Sequence, residues 1–116
     1  MRITKNVLKR KPRFIGGYAT ATAGTTQTQA GATALTGGFN FVTTGNANDG
    51  VLLPSNYARG DMVTIVNSSN AALNVYPRTG GAINNGSANA AKALAANMSG
   101  LYISLGSENW AAVLSA

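Results

Sequence analysis

Short runs of β-favouring residues, separated by clusters of Gly, Asn, Ser and Pro, occupy the chain from Tyr18 onward. Residues 62–67 show the pattern most clearly, because two sets of side chains alternate along MVTIVN, as they do in a strand with two unlike faces. About eight such runs follow one another at roughly ten-residue intervals, which is typical of sandwiches and barrels. The sequence therefore predicts an all-β fold, an antiparallel β-sandwich or barrel that is jelly-roll-like, with no evident internal repeat.

The same pattern predicts where some of the side chains lie. Leu35, Phe39 and Phe41 are expected on one face, on either side of a bend at a Gly-Gly pair. The last two runs are predicted to pair as a hairpin that turns at residues 106–109. A single side of an earlier run carries Leu73, Val75 and Pro77. The residues of the final run that we expect to help close the core are Trp110, Val113 and Leu114.

A helix competes with a strand over residues 88–98, which read ANAAKALAANM. Alanine is the best helix former, so propensity alone favours a helix there. The segment lies between two strand-like runs, however, and it has Asn near both ends. We therefore expect a strand.

The net charge of +6 lies entirely within the first thirteen residues. Its carriers are Arg2, Lys5, Lys9, Arg10, Lys11 and Arg13. The three other bases are balanced by the only three acids, so residues 14–116 are formally neutral. Charge asymmetry of this kind predicts an interaction tail on a separate folded body. We expect an extended basic arm over residues 1–17 and one β-sandwich domain over residues 18–116.

The composition of the body favours association with copies of itself. Ala, Gly, Thr and Asn make up about half of the chain, and only 10% of its residues are charged. A neutral surface with so few charges is poorly protected against association. The alternative is a small β-domain that tolerates a low surface charge as a monomer.

The residue types needed for common catalytic and metal sites are missing. Without His or Cys the chain lacks the usual general base, thiolate ligands and the Ser-His and Cys-His nucleophile arrangements. Of the three acids, Asp49 is expected to shape an Asn-Asp-Gly turn, Asp61 to be solvated and Glu108 to lie in the final hairpin turn. The glycines form no phosphate-binding pattern. We expect no enzyme activity, no cofactor and no metal.

The basic arm has three candidate partners. Nucleic acid is disfavoured because the arm has no aromatic residue before Phe14 and the neutral body offers no basic track. A membrane surface is disfavoured because the arm buries little apolar area, and no apolar run is long enough to span a bilayer or to form a secretory leader. An acidic protein surface fits best. A flexible tail that only adds solubility is the remaining alternative.

Two stretches of the chain carry a resemblance to a known class of protein. They read GVLLPSNYARGDMVTIVNSSNAALNVYPRTGGAINN and ANAAKALAANMSGLYISLGSENWAAVLS, which together cover roughly residues 49–115. They resemble a β-domain common among structural proteins of tailed-phage virions. The shared features are a strand ending in Leu-Pro, a Gly-led strand ending in Val-Asn, the run Leu-Asn-Val-Tyr-Pro, an Ile-Asn pair, an Ala-rich strand and a closing Trp strand. These are turn and core positions rather than a catalytic signature, so Tyr76, Pro77 and Trp110 are expected to be structural.

The short chain and its basic arm narrow the resemblance to small trimeric capsid decoration (cement) proteins. This implies a virion protein, made in the host cytoplasm, that binds the outer face of the major capsid protein shell as a homotrimer and stabilises contacts between capsomers. Cations of the arm would pair with acidic groups of the shell, and its apolar residues would fill gaps beneath the trimer. The capsid-binding residues would be Arg2, Ile3, Lys5, Val7, Leu8, Lys9, Arg10, Lys11, Arg13 and Phe14. A second interpretation is a head- or tail-fibre component that binds the host surface or carbohydrate.

Overall fold

A computed structural model describes residues 17–115 of the protein, and every regular element within that range is a β-strand. The strands are β1 (Tyr18–Thr22), β2 (Thr33–Ala34), β3 (Phe39–Thr44), β4 (Gly50–Leu52), β5 (Met62–Asn67), β6 (Leu73–Tyr76), β7 (Lys92–Leu94), β8 (Ser99–Gly106) and β9 (Asn109–Leu114). The prediction of an all-β body is confirmed. The described residues contain no helix with the length and apolar character needed to cross a membrane.

The strands form two sheets that share one core. The larger sheet has the order β1-β3-β5-β8-β9, and the smaller has the order β2-β4-β6-β7. Buried apolar side chains from both sheets belong to a single cluster, so the arrangement is sandwich-like. It is not a closed barrel.

The first six strands wind as a coil of three turns. Each turn places one strand in the larger sheet and the next in the smaller, so β1, β3 and β5 are neighbours in one layer and β2, β4 and β6 in the other. Strands that follow a full turn run in the same direction, and all four of these neighbouring pairs are parallel. The prediction of an antiparallel, jelly-roll-like sandwich is therefore wrong for this half of the fold.

The turns between β1 and β6 lead from one sheet to the other, and this explains why the antiparallel prediction is wrong there. The Gly- and Asn-rich segment 45–49 links β3 to a strand of the opposite sheet instead of folding back into a hairpin. The turns of the coil are also unequal in length: Phe39 is paired with Tyr18, 21 residues earlier, and with Thr64, 25 residues later. A structural repeat is thus present without a constant period, and for that reason no repeat is visible in the sequence.

The last three strands close the coil with antiparallel pairs. β7 pairs with β6, β8 with β5, and β9 with β8. Strand β7 covers only residues 92–94 of the Ala-rich segment, so the choice of strand over helix is correct for that part. The predicted hairpin turn joins β8 to β9, and both of its central residues, Ser107 and Glu108, have positive φ (54° and 65°). That combination matches a type I′ turn.

Burial in the core confirms some sequence-based assignments and corrects others. Met62–Asn67 alternates strictly between buried and half-buried residues, as predicted. Trp110 is 1% exposed, and the buried row of the smaller sheet includes Leu73, Val75 and Pro77. Val113 instead points outward and is 62% exposed. The expected shared face of Leu35, Phe39 and Phe41 is also wrong, because Leu35 is in the core and the two Phe side chains lie on the opposite surface of the larger sheet.

One buried amide ties the coil to the closing strands. The side chain of Asn67, at the end of β5, donates to the carbonyl oxygens of Ala71 (2.8 Å) and Leu94 (3.0 Å). Its Oδ1 accepts from the backbone N–H and the hydroxyl of Ser69. Because Asn67 is fully buried, water does not satisfy the backbone groups around it, and its side-chain amide forms hydrogen bonds with them instead.

Candidate interaction surface

The residues predicted to bind a capsid lie outside the described part of the chain. All ten are located between positions 2 and 14, whereas the structure begins at Gly17. The arm assignment therefore stays a prediction. The described residues of the body, 17–115, offer a separate candidate surface.

The outer face of the larger sheet is such a surface. Because side chains alternate along each strand, one set fills the core and the other set faces away from the smaller sheet. No charged side chain occurs in this outward set. We call these residues the outer face: Tyr18, Thr20, Phe39, Phe41, Met62, Thr64, Val66, Ser99, Leu101, Ile103, Leu105, Ala111 and Val113.

A straight row of side chains crosses all five strands of this face. The strand register pairs Tyr18 with Phe39, Phe39 with Thr64, Thr64 with Leu101, and Leu101 with Val113. The two ends of the row are the most exposed large apolar residues of the described chain, Tyr18 at 66% and Val113 at 62%. The row therefore runs from an aromatic end, through a threonine, to an aliphatic end.

Three aromatic rings form the β1–β3 side of the outer face. The ring of Phe41 contacts Tyr18 edge-on, with centroids 5.3 Å apart, and stacks on Phe39 at 5.6 Å. These spacings are within the range in which aromatic pairs attract beyond simple burial. The rings are thus held in place by one another although Tyr18 and Phe39 are largely open to solvent.

The two edges of the larger sheet differ in protection. At β9, the side chain of Asn84 accepts from the N–H of Ala112 (2.8 Å) and donates to its carbonyl (3.3 Å), and the backbone N–H of Asn84 donates to the Trp110 carbonyl. Asn84 therefore occupies the edge where another strand would pair. At β1, no described strand pairs on the side away from β3.

No protein-family model and no curated protein matches this chain. The outer face has to be interpreted from its own chemistry.

The charged side chains of the body lie elsewhere and hold loops in place. Asp49 is buried and accepts from the N–H of Asn46 (2.9 Å), so its predicted role in the turn is confirmed. Arg78 donates to the Leu53 carbonyl at 2.8 Å. Asp61, expected to be solvated, is only 1% exposed, so that expectation is wrong. These contacts are typical of structural roles.

Buried polar groups beside the core give no sign of a reactive site. Burial raises the pKa of the Tyr102 phenol well above its usual range, and burial, with a smaller contribution from the Asp61 carboxylate, raises the pKa of Tyr57. A phenol with a raised pKa stays neutral at physiological pH and is a poor base. Among residues 17–115, no three His, Cys, Asp or Glu side chains are grouped in a way that would hold a metal ion.

A polar groove lies at the ends of β3 and β5. It has a volume of about 410 Å³ and is lined by the loops that follow these two parallel strands. The lining side chains are mostly hydroxyls and amides, with no aromatic ring: Thr43, Thr44, Asn46, Ser68, Ser69 and Asn70. Such a groove offers hydrogen bonds to a polar ligand without a stacking surface.

The outer face is the feature that sequence reasoning missed. Its signal was available in the run 62–67, where the outward positions include Met62 and Val66 rather than charged residues. A strand that faces water on one side is normally polar there. Strands β5 and β8 depart from this pattern, because they carry apolar residues on both faces.

Proposed function

We propose that this chain is a virion structural protein, a capsid decoration protein that docks on the outer face of a major capsid shell through its basic arm and packs through its body against copies of itself. The observation that carries the proposal is the division of charge. Six cations lie in residues 1–13, and the other 103 residues are formally neutral.

The arm supplies attachment through many weak contacts. An exposed ion pair contributes only about 0.2–1 kcal/mol, so one arm with six cations binds an acidic surface weakly. Joining several arms in one assembly raises the effective concentration of each and converts weak docking into firm attachment. A trimer of bodies, as in the decoration proteins that the sequence resembles, is our proposal for that assembly.

The body supplies packing rather than chemistry. The described acids lie in turns or are buried, and the chain has neither His nor Cys to act as a base or nucleophile. The resemblance and this residue inventory both favour a non-enzymatic role on the virion surface, with the major capsid protein as the partner.

The proposal is tested by neutralising the arm and measuring attachment to shells. In the test variant all six arm cations are replaced by Gln, and the control carries Arg59→Gln, an exposed base of the body. Purified shells are mixed with each protein, and occupancy is measured by co-sedimentation. We expect the arm variant to lose most of its occupancy and the control to match the unaltered protein. Full occupancy of the arm variant would overturn the docking role.

A fibre component that binds carbohydrate is the second candidate, and the polar groove favours it. Its hydroxyl and amide groups, which include Asn46, Ser68 and Asn70, suit the hydroxyls of a sugar. Binding to a glycan array that is lost in Asn70→Ala but kept in the arm variant would support this function over decoration. Salt-sensitive binding to random DNA would instead indicate a nucleic-acid partner.

A further inference from the structure

We infer that the outer face of the larger sheet is the contact surface between copies of this chain, with the Tyr18 edge of one copy lying against the Val113 edge of the next. The inference rests on the proposed function in one respect, namely that the body packs against copies of itself. It identifies where that packing occurs and in which orientation.

The outer face has the size of a small interface. Five strands spaced by about 4.8 Å and roughly 20 Å long form a face about 20 Å wide, which gives roughly 400 Å² for each copy. Two such faces together cover roughly 800 Å², which is within the range of small or transient protein contacts. A contiguous patch of this size without a charged side chain is comparable to the largest patches on soluble monomers, which often have a function.

The row that crosses the face is self-complementary. When a second sheet is laid on the first with its strand order reversed, Tyr18 lies over Val113 of the other copy and Phe39 over Leu101. The central residue Thr64 then lies over its own equivalent. Tyr18 and Phe39 are thereby placed against aliphatic side chains, Phe41 lies over Ser99, and no charge is buried.

The point where the basic arm joins the body favours the same orientation. The arm joins the body at Gly17, next to Tyr18, and its last cation is Arg13. Placing two Tyr18 edges together would bring twelve positive charges close to each other. Placing the Tyr18 edge against the Val113 edge keeps the two Gly17 positions, where the arms join the bodies, about 20 Å apart, which exceeds the screening length of about 8 Å at physiological salt. Charge repulsion therefore selects the orientation that the row also favours.

Two faces stacked about a twofold axis along β5 make all the contacts of the row. Three copies around a threefold axis keep only the edge contact between Tyr18 and Val113, because each copy offers both edges. In either arrangement Tyr18 of one copy meets Val113 of another. A body that stays a monomer leaves both residues in water.

Cysteine cross-linking tests the orientation directly, because the chain has no cysteine of its own. Tyr18 and Val113 lie on the first and last of five strands, about 19 Å apart, so they cannot form a disulfide within one chain. We would prepare Tyr18→Cys and Val113→Cys as separate proteins, mix them under mild oxidation and separate the products on a non-reducing gel. The inference expects a cross-linked pair in the mixture and much less cross-linking in either protein alone.

Oligomeric state gives the second measurement. Val113→Asp places a charge in the face, and Ala88→Asp places the same charge at an exposed loop position as the matched control. Sedimentation equilibrium is expected to show dimers or trimers for the unaltered protein and the control, and a folded monomer for Val113→Asp.

The outcomes separate this inference from the proposed function. A monomeric unaltered protein, or cross-linking of Tyr18→Cys to itself as strongly as to Val113→Cys, overturns the inference. Loss of shell occupancy in the arm variant together with these results leaves the docking proposal standing. If the arm variant keeps its shell occupancy and Tyr18→Cys cross-links to Val113→Cys as expected, the docking proposal is overturned and the inference is supported.

Discussion

Tyr102 is the residue at which the structure predicts that removing a polar atom stabilises the protein. Its side chain is fully buried between the sheets, and within the described residues its hydroxyl has no hydrogen-bond partner. Burying such a group costs about 1–3 kcal/mol. Tyr102→Phe removes this cost and leaves only a small void, so we expect the free energy of unfolding at pH 7 to rise by about 1 kcal/mol.

The same residue predicts a difference at alkaline pH. Burial raises the folded-state pKa of Tyr102, whereas in the unfolded chain the phenol ionises near its ordinary pKa of about 10. Ionisation of this phenol in the unfolded chain therefore leaves the free energy of unfolding unchanged below about pH 10. Above that pH it lowers the free energy of unfolding, by about 1.4 kcal/mol at pH 11. Tyr102→Phe should lose less stability between pH 7 and pH 11 than the unaltered protein.

Urea unfolding followed by the fluorescence of the single Trp measures both effects. Trp110 lies in the core, so its emission reports loss of the packed state. The reasoning is refuted if Tyr102→Phe is less stable at pH 7 by 1 kcal/mol or more, because that result would mean that the hydroxyl forms a stabilising hydrogen bond. It is also refuted if the two proteins lose equal stability at high pH.

Three further substitutions test separate parts of the fold, each by its unfolding free energy. Asn67→Ala should cost about 2–4 kcal/mol because several buried backbone groups lose their partner, whereas Asn70→Ala, in the exposed loop beside it, should change stability by less than about 0.5 kcal/mol. Glu108→Gly should add about 0.5 kcal/mol, since φ is positive there, and a loss would show that its side-chain bond to the Asn56 N–H is the larger effect. Gly81→Ala should unfold the protein or cost more than about 3 kcal/mol, because the new methyl group would collide with the backbone of Glu108, and native stability would mean that this approach is not close.

The β-content of the body followed from local patterns, whereas its topology did not. The run Met62–Asn67 and the hairpin turn at residues 106–109 are determined by neighbours a few residues apart, and both were predicted correctly. Whether the segment 45–49 forms a hairpin or a crossing between sheets depends on the position of β5, which is distant in sequence. Turn residues indicate where a strand ends, but they do not specify which sheet contains the next strand.

Side-chain direction was predictable only where the pattern has two unlike faces. In β5 the alternation of Val63 and Ile65 with Thr64 shows which side is buried. Phe39, Phe41 and Val113 are apolar residues that face outward, whereas the sequence predicted that Val113 lies in the core and that both Phe side chains share a face with Leu35. The competing principle is association: an apolar residue can be buried by another copy as well as by its own chain. The outer face became visible only once the strand register brought these residues into one row.

The central claim is that a basic arm fastens the molecule to an acidic shell while an uncharged body packs against its own copies. A reconstruction of the assembled particle by electron cryomicroscopy tests this most directly, through the density for residues 1–14. The account predicts that Arg10, Lys11 and Arg13 lie within ion-pair distance of carboxylates of the shell protein. An arm that extends into solvent and touches no shell residue, on a particle that still carries the protein, would contradict it.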